Sequence, residues 1–124
     1  MKLLIVDDSE EMRGEIRSIV IDLADEIYEC SNGAEAMTKY ALHDPDWVLM
    51  DLVMDQMDGL EATRRLISIC PEAKIVIVTS YDDDYLREAA RAAGARDYVL
   101  KENLFDIRRV LSGDAPDTGG QNRG

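Results

Sequence analysis

Cysteine is nearly missing from this chain: Cys30 and Cys70 are the only two, they fall at the ends of different predicted elements, and neither sits in a CxxC or metal-binding spacing. That excludes a disulfide framework and a structural zinc site, and both thiols are expected to be free. Histidine occurs once, as His43 beside Asp44-Pro45 and far along the chain from the acidic clusters, so a surface or packing role is expected for it rather than catalysis. No apolar run is long enough to span a bilayer, and Met1-Lys2-Leu3 enters a strand directly with no signal-peptide pattern, which points to a cytoplasmic protein with no membrane contact. Positive charge is scarce as well: 14 basic residues against 26 acidic ones leave a formal net charge of -12. A body this acidic repels nucleic acid phosphate, so no direct nucleic acid contact is expected from this domain.

What the chain does have is enough apolar residues, 46% of 124, for one domain with a single core. Short apolar runs alternate with helical patterns, predicting strands at Lys2–Val6, Glu26–Cys30, 46–50, 74–78 and Asp97–Leu100. Between them Met12, Ile16, Ile19, Val20 and Leu23 recur at helical spacing, as do Leu86, Ala89, Ala90 and Ala93, and finally Leu104, Ile107 and Leu111. Repeated βα units of this length argue an α/β fold with a doubly wound parallel sheet, a three-layer αβα sandwich. Ser9, Asn32 with Glu35, Asp58 with Glu61, and Asn103 are predicted helix N-caps, and the run Asp82-Asp83-Asp84 serves the start of the fourth helix. Gly94 and Gly113 lie where C-terminal caps belong, while Asp44-Pro45 and Cys70-Pro71 mark turns. Trp47, about 13 Å along a strand from Asp51, is expected to pack in a core. Residues 113–124 have no apolar periodicity and cannot repay the entropy of ordering, so they read as a flexible tail or linker stub.

Chemistry gathers where strands end. Asp7 and Asp8 follow the apolar run Leu3-Leu4-Ile5-Val6, and Asp51 follows Trp47-Val48-Leu49-Met50, so all three carboxylates belong at the carboxyl edge of the sheet, where open α/β folds place their sites. Like charges brought together there raise each other's pKa unless they share a cation, and oxygen ligands favour Mg²⁺ or a similar ion. The acidic pair alone is equally well explained as a helix-start electrostatic feature. Asp51 tips the balance, because an acid directly after a buried strand is costly unless used or paired. Thr79-Ser80 ends the fourth strand and Lys101 the fifth, so the edge positions beside the central acid carry groups able to bind, orient or neutralise an oxyanion.

These residues carry a resemblance. Leu-Ile-Val-Asp-Asp-Ser at 4–9, Met-Asp-Leu-Val-Met at 50–54, Met-Asp-Gly at 57–59, Val-Thr-Ser-Tyr at 78–81 and Tyr-Val-Leu-Lys at 98–101 stand in the order and spacing of a bacterial two-component response-regulator receiver domain of the chemotaxis-regulator type, which the chain resembles over residues 1–112. The resemblance implies a flavodoxin-like strand order 2-1-3-4-5. It implies that Asp51 accepts a phosphoryl group from the phosphohistidine of a sensor histidine kinase or phosphotransfer protein. It further implies Mg²⁺ or Mn²⁺ ligated by Asp8, Asp51 and the backbone carbonyl of Val53, with Asp7 helping through bound water. Lys101 is implied to pair with Asp51 and later with the phosphoryl oxygens, and Thr79 and Tyr98 to form a switch that reshapes the face of helix four, strand five and helix five. Such a protein is a signalling switch rather than a turnover enzyme, and a phosphorylation-dependent homodimer is compatible with it. The segment Lys-Glu-Asn-Leu resembles receivers joined to helix-turn-helix domains, so a DNA-binding domain absent from this chain is also compatible.

Two positions depart from the family pattern. Glu102 follows Lys101 where proline is common, and a cis bond without proline costs about 3–4 kcal/mol, so a trans peptide is predicted. Asp55 also replaces a usual proline, adding a fourth carboxylate near the site. Val53 and Tyr81 flank the route by which water reaches an acyl phosphate, and they are expected to slow its hydrolysis; Val53→Asn should then shorten the phosphorylated lifetime. Two alternatives fit less well: an aspartyl-nucleophile phosphatase, disfavoured because Val53 stands where that class carries a second acid, and an unphosphorylated docking scaffold, disfavoured because Asp8, Asp51, Thr79 and Lys101 are all present.

Overall fold

The protein is described by a computed structural model over residues 1–54 and 57–113. Strands β1 (Lys2–Val6), β2 (Glu26–Cys30), β3 (Trp47–Met50), β4 (Ile75–Thr79) and β5 (Asp97–Leu100) alternate with helices α1 (Glu10–Val20), α2 (Gly33–His43), α3 (Gly59–Ile69), α4 (Asp84–Ala93) and α5 (Asp106–Leu111). All strand pairings are parallel, in the order β2-β1-β3-β4-β5. The doubly wound order expected from the resemblance is therefore the one adopted.

The strand sequences explain the layering. β3 and β4 are buried at every position, and β1 at every position after Lys2, because helices cover both faces of the central sheet. Alternate residues feed two cores. Leu4, Val6, Val48, Met50, Ile75 and Ile77 meet Ala36 of α2, Ala62 and Leu66 of α3 and Ala90 of α4. On the opposite face, Leu3, Ile5, Leu49, Val76 and Val78 meet Ile16 and Val20 of α1 and Ile107, Val110 and Leu111 of α5. Each large aliphatic side chain fully withdrawn from water contributes about 1.5–3 kcal/mol, which holds the edge acids on a rigid platform.

The caps form as predicted at Ser9, Asn32, Asp58 and Asp83, whose side chains accept from the third residue onward at 2.9–3.1 Å. Gly94 ends α4 in the left-handed region, φ 112°, and Gly113 follows α5 at φ 82°. Four expectations are corrected. β3 starts at Trp47, one residue later than predicted; Asp46 precedes it, with its amide on the Lys2 carbonyl at 2.8 Å and its carboxylate accepting from the Lys2 amide at 2.7 Å. β4 runs one residue later than predicted, since Thr79 still pairs with Leu100. α1 stops at Val20, and Leu23 reaches the core from the following turn. Asn103 caps nothing: Lys101–Asn103 forms a single 3-10 turn, and α5 starts at Asp106 with Phe105 before it and no side-chain cap. The Lys101-Glu102 peptide is trans. Asp55 and residues 114–124, for which expectations were stated, lie outside the described residues. Among the described residues no helix is long and apolar enough to cross a membrane.

Candidate functional site

The acids at the carboxyl edge are delivered by backbone that continues the sheet ladder just past the strands. The amide of Asp7 donates to the carbonyl of Cys30 at 3.1 Å and that of Asp51 to the carbonyl of Val6 at 2.9 Å. Asp7 and Asp51 are thus fixed on neighbouring strands and buried, at 1% and 6% exposure, whereas Asp8 is exposed. One oxygen from each of Asp7, Asp8 and Asp51 lies within 4.8 Å of the other two. Asp7 Oδ1 accepts from the amide of Ser9 at 2.9 Å, and Asp51 Oδ1 from the amide of Leu52 at 2.9 Å.

Lys101, placed by the turn after β5, supplies the counter-charge. Its Nζ lies 2.9 Å from Asp7 Oδ2 and 3.5 Å from Asp51 Oδ1, so it bridges two acids and sits closer to Asp7 than to Asp51. The contact to Asp7 is an ion pair by distance, but Asp7 Oδ2 is buried and receives no hydrogen bond of regular geometry. Burial pushes the Asp51 carboxyl up to about 6, and the charge of Asp7 adds to this while Lys101 opposes it. Burial also disfavours the charged ammonium of Lys101, but the acids outweigh it and its pKa is raised. Three carboxylates therefore face one ammonium, with an all-oxygen donor set and a buried oxygen lacking a directed partner. That set fits a hard divalent cation.

On the other side of Asp51, Thr79 and Tyr98 converge on one residue. The hydroxyl of buried Thr79 accepts from the amide of Tyr81 at 3.3 Å, and the hydroxyl of half-buried Tyr98 donates to the carbonyl of Tyr81 at 2.6 Å. The Arg87 guanidinium lies 4.6 Å from the Tyr98 ring centroid. Val53 and Tyr81 are 57% and 51% exposed.

Other candidates stand apart. His43 stacks on Tyr28 with centroids 3.7 Å apart, and Trp47 packs into the core. Cys30 and Cys70 are free, and burial pushes the Cys30 thiol up to about 11, which suits packing rather than nucleophilic work.

Sequence reasoning missed two supports. Gly59 has no room for a side chain, since a Cβ there lies 2.0 Å from the backbone oxygen of Asp51. The Met-Asp-Gly motif was visible, but the close approach that demands its glycine was not. Arg13 donates from Nη1 to the main-chain carbonyl of Asp7 at 2.6 Å, and its only signal in the chain is a basic residue shortly after an acidic pair.

Comparison with known proteins agrees with this geometry. The family model of the response regulator receiver domain matches residues 3–111. The chemotaxis protein CheY of Bacillus subtilis is 37% identical over 111 residues, covering 89% of this chain and 91% of that protein. The response regulator protein VraR of Staphylococcus aureus is 39% identical over 122 residues, covering 93% of this chain and 58% of VraR. A solved DNA-binding response regulator of the LuxR family, also from Staphylococcus aureus, superposes with a TM-score of 0.82 at 25% identity, covering 90% of this chain and 96% of that one.

Proposed function

The chain belongs to the response regulator receiver domain family, and from that premise we propose that Asp51 accepts a phosphoryl group from the phosphohistidine of a sensor histidine kinase or phosphotransfer protein and thereby switches a partner-binding surface. The observation that carries this reading is the Asp51 carboxylate itself, buried at a strand end beside Asp7, with the ammonium of Lys101 bridging the two. Burial raises its carboxyl only to about 6, so at neutral pH the ionised, nucleophilic form is available. A carboxylate oxygen of Asp51 attacks phosphorus, the P–N bond breaks, and the imidazole leaves as the electron-pair acceptor while an acyl phosphate forms. The Leu52 amide holds Oδ1, which leaves Oδ2 to attack.

Mg²⁺ or Mn²⁺ would be held by Asp7, Asp8, Asp51 and the carbonyl of Val53, and when bound it supplies the positive charge that offsets repulsion between an anionic nucleophile and an anionic donor. Lys101 moves its pairing from Asp51 to the new phosphoryl oxygens. Thr79 turns its hydroxyl to the same group, and because Tyr81 touches both Thr79 and Tyr98, that movement reaches the α4, β5 and α5 face. A receiver of this kind is a signalling switch and not a turnover enzyme, it works in the cytoplasm beside its kinase, and its output is a partner or a second phosphorylated copy.

Beryllofluoride, a phosphoryl mimic, tests the reading. With Mg²⁺ it should shift amide resonances around Thr79, Tyr81 and Tyr98 in the wild type and leave Asp51→Asn unaffected. An unchanged wild-type spectrum would instead favour a docking scaffold that is never phosphorylated.

A further inference from the structure

Arg13 lies in the first half of α1, where a cation runs against the helix dipole. Its side chain nonetheless folds inward and is only 16% exposed. Nη1 donates to the carbonyl of Asp7 at 2.6 Å, and Nε donates to Glu29 Oε1 on β2 at 3.0 Å. The other oxygen of Glu29 accepts from Arg17 Nη1 at 3.0 Å. A carboxylate from the edge strand thus clamps a planar guanidinium so that it points at the turn between β1 and α1, a directional task that an ammonium performs poorly.

The target is the peptide joining Asp7 to Asp8. A peptide plane is rigid, so holding its carbonyl toward α1 removes the freedom of that plane to flip and restrains the backbone from which both flanking side chains leave. Asp7 has further restraints, from the Ser9 amide and Lys101. Asp8 makes no hydrogen bond or ion pair with any described residue, yet one of its oxygens must stay beside those of Asp7 and Asp51. Its placement depends on the backbone that Arg13 holds.

We infer that Arg13 is a positioning residue for the cation site, holding the Asp7-Asp8 peptide so that the Asp8 carboxylate meets those of Asp7 and Asp51; this rests on the cation reading above. Two consequences of removing Arg13 oppose each other. Loss of a positive charge favours cation binding, while loss of orientation disfavours it. Glu29 already offsets the charge, so orientation wins, and substitutions that disturb metal ligands from behind cost about 10–100-fold in affinity.

Calorimetric titration of Mg²⁺ into the chelator-stripped full chain separates the two. Arg13→Ala should weaken binding about tenfold, and Arg13→Lys, which keeps the charge but not the fork, should fall between it and wild type. Arg17→Ala likewise loses one positive charge and one contact to Glu29, on the other oxygen, without touching Asp7, so it should bind as wild type does. Thermal melts establish that each variant is folded, and if Arg13→Ala is not, Arg13→Lys carries the test by weakening or failing to weaken. Equal or tighter binding by the Arg13 variants overturns the inference, as does an equal loss in Arg17→Ala. A wild type that takes up no Mg²⁺ removes the cation reading and this inference with it, whereas a binding wild type with unaltered Arg13 variants removes this inference alone.

Discussion

At the scale of single residues, the site holds the Asp51 carboxyl under electrostatic load. The folded pKa of Asp51 is raised from 3.8 to about 6, so the fold prefers the protonated acid. The associated stability is fully present below about pH 4 and is lost as pH rises through about 6. Without divalent cation, Asp51→Asn should therefore be more stable than wild type at pH 7.5 by about 1–2 kcal/mol, a figure reduced from the full shift because the site opens to solvent. The gap should close toward pH 4, and thermal melts in chelator across that range check it; a gap independent of pH would contradict the assigned cause. The type and order of the edge residues were legible in the sequence because each ends an apolar run. Their partners were not. That Asp7 is buried and Asp8 exposed, and that Lys101 sits nearer Asp7 than Asp51, follow from how neighbouring strands and the last turn meet, which no local pattern encodes.

At the scale of elements, two glycines in helices make opposite demands. At Gly59, the first residue of α3, an added Cβ meets the Asp51 oxygen at 2.0 Å and the Leu52 Cα at 3.0 Å, so backbone has to move. Gly59→Ala should cost about 1–3 kcal/mol in urea unfolding, as overpacking does. At exposed Gly14, within α1, an added Cβ meets nothing within 4 Å, and Gly14→Ala should stabilise by about 0.5–1 kcal/mol through helix propensity. Equal effects at the two positions would show that the close approach to Asp51 is not a constraint. Caps were legible wherever a short polar side chain precedes a helix directly. Asn103 failed because the chain after Lys101 spends one turn in a 3-10 conformation, and spacing from Leu104 to Leu111 cannot reveal that α5 begins only at Asp106. Strand ends shifted by one residue at β3 and β4, because where a ladder starts and stops depends on the register with the neighbouring strand, which a single run of apolar residues does not encode.

At the scale of the molecule, the alternation of buried runs with amphipathic helices was enough to derive a parallel sheet covered on both faces. Strand order was not derivable that way, since five similar runs are compatible with several orders, and it came from the resemblance carried by Asp7, Asp51, Thr79 and Lys101. One long-range tie was invisible beforehand: Arg108 of α5 donates to the Ile19 carbonyl at 2.8 Å and to both oxygens of Asp22, joining the last helix to the end of the first. The placement of Trp47 has an optical consequence. This indole, the chain's only one, is 9% exposed at the start of β3, beneath the Lys74 ammonium at 4.9 Å and about four strand residues, roughly 13 Å, from Asp51. Its emission should track global unfolding yet stay nearly blind to changes at Asp51, so one fluorescence signal can read the stabilities of the wild type and of edge-acid variants on a common scale.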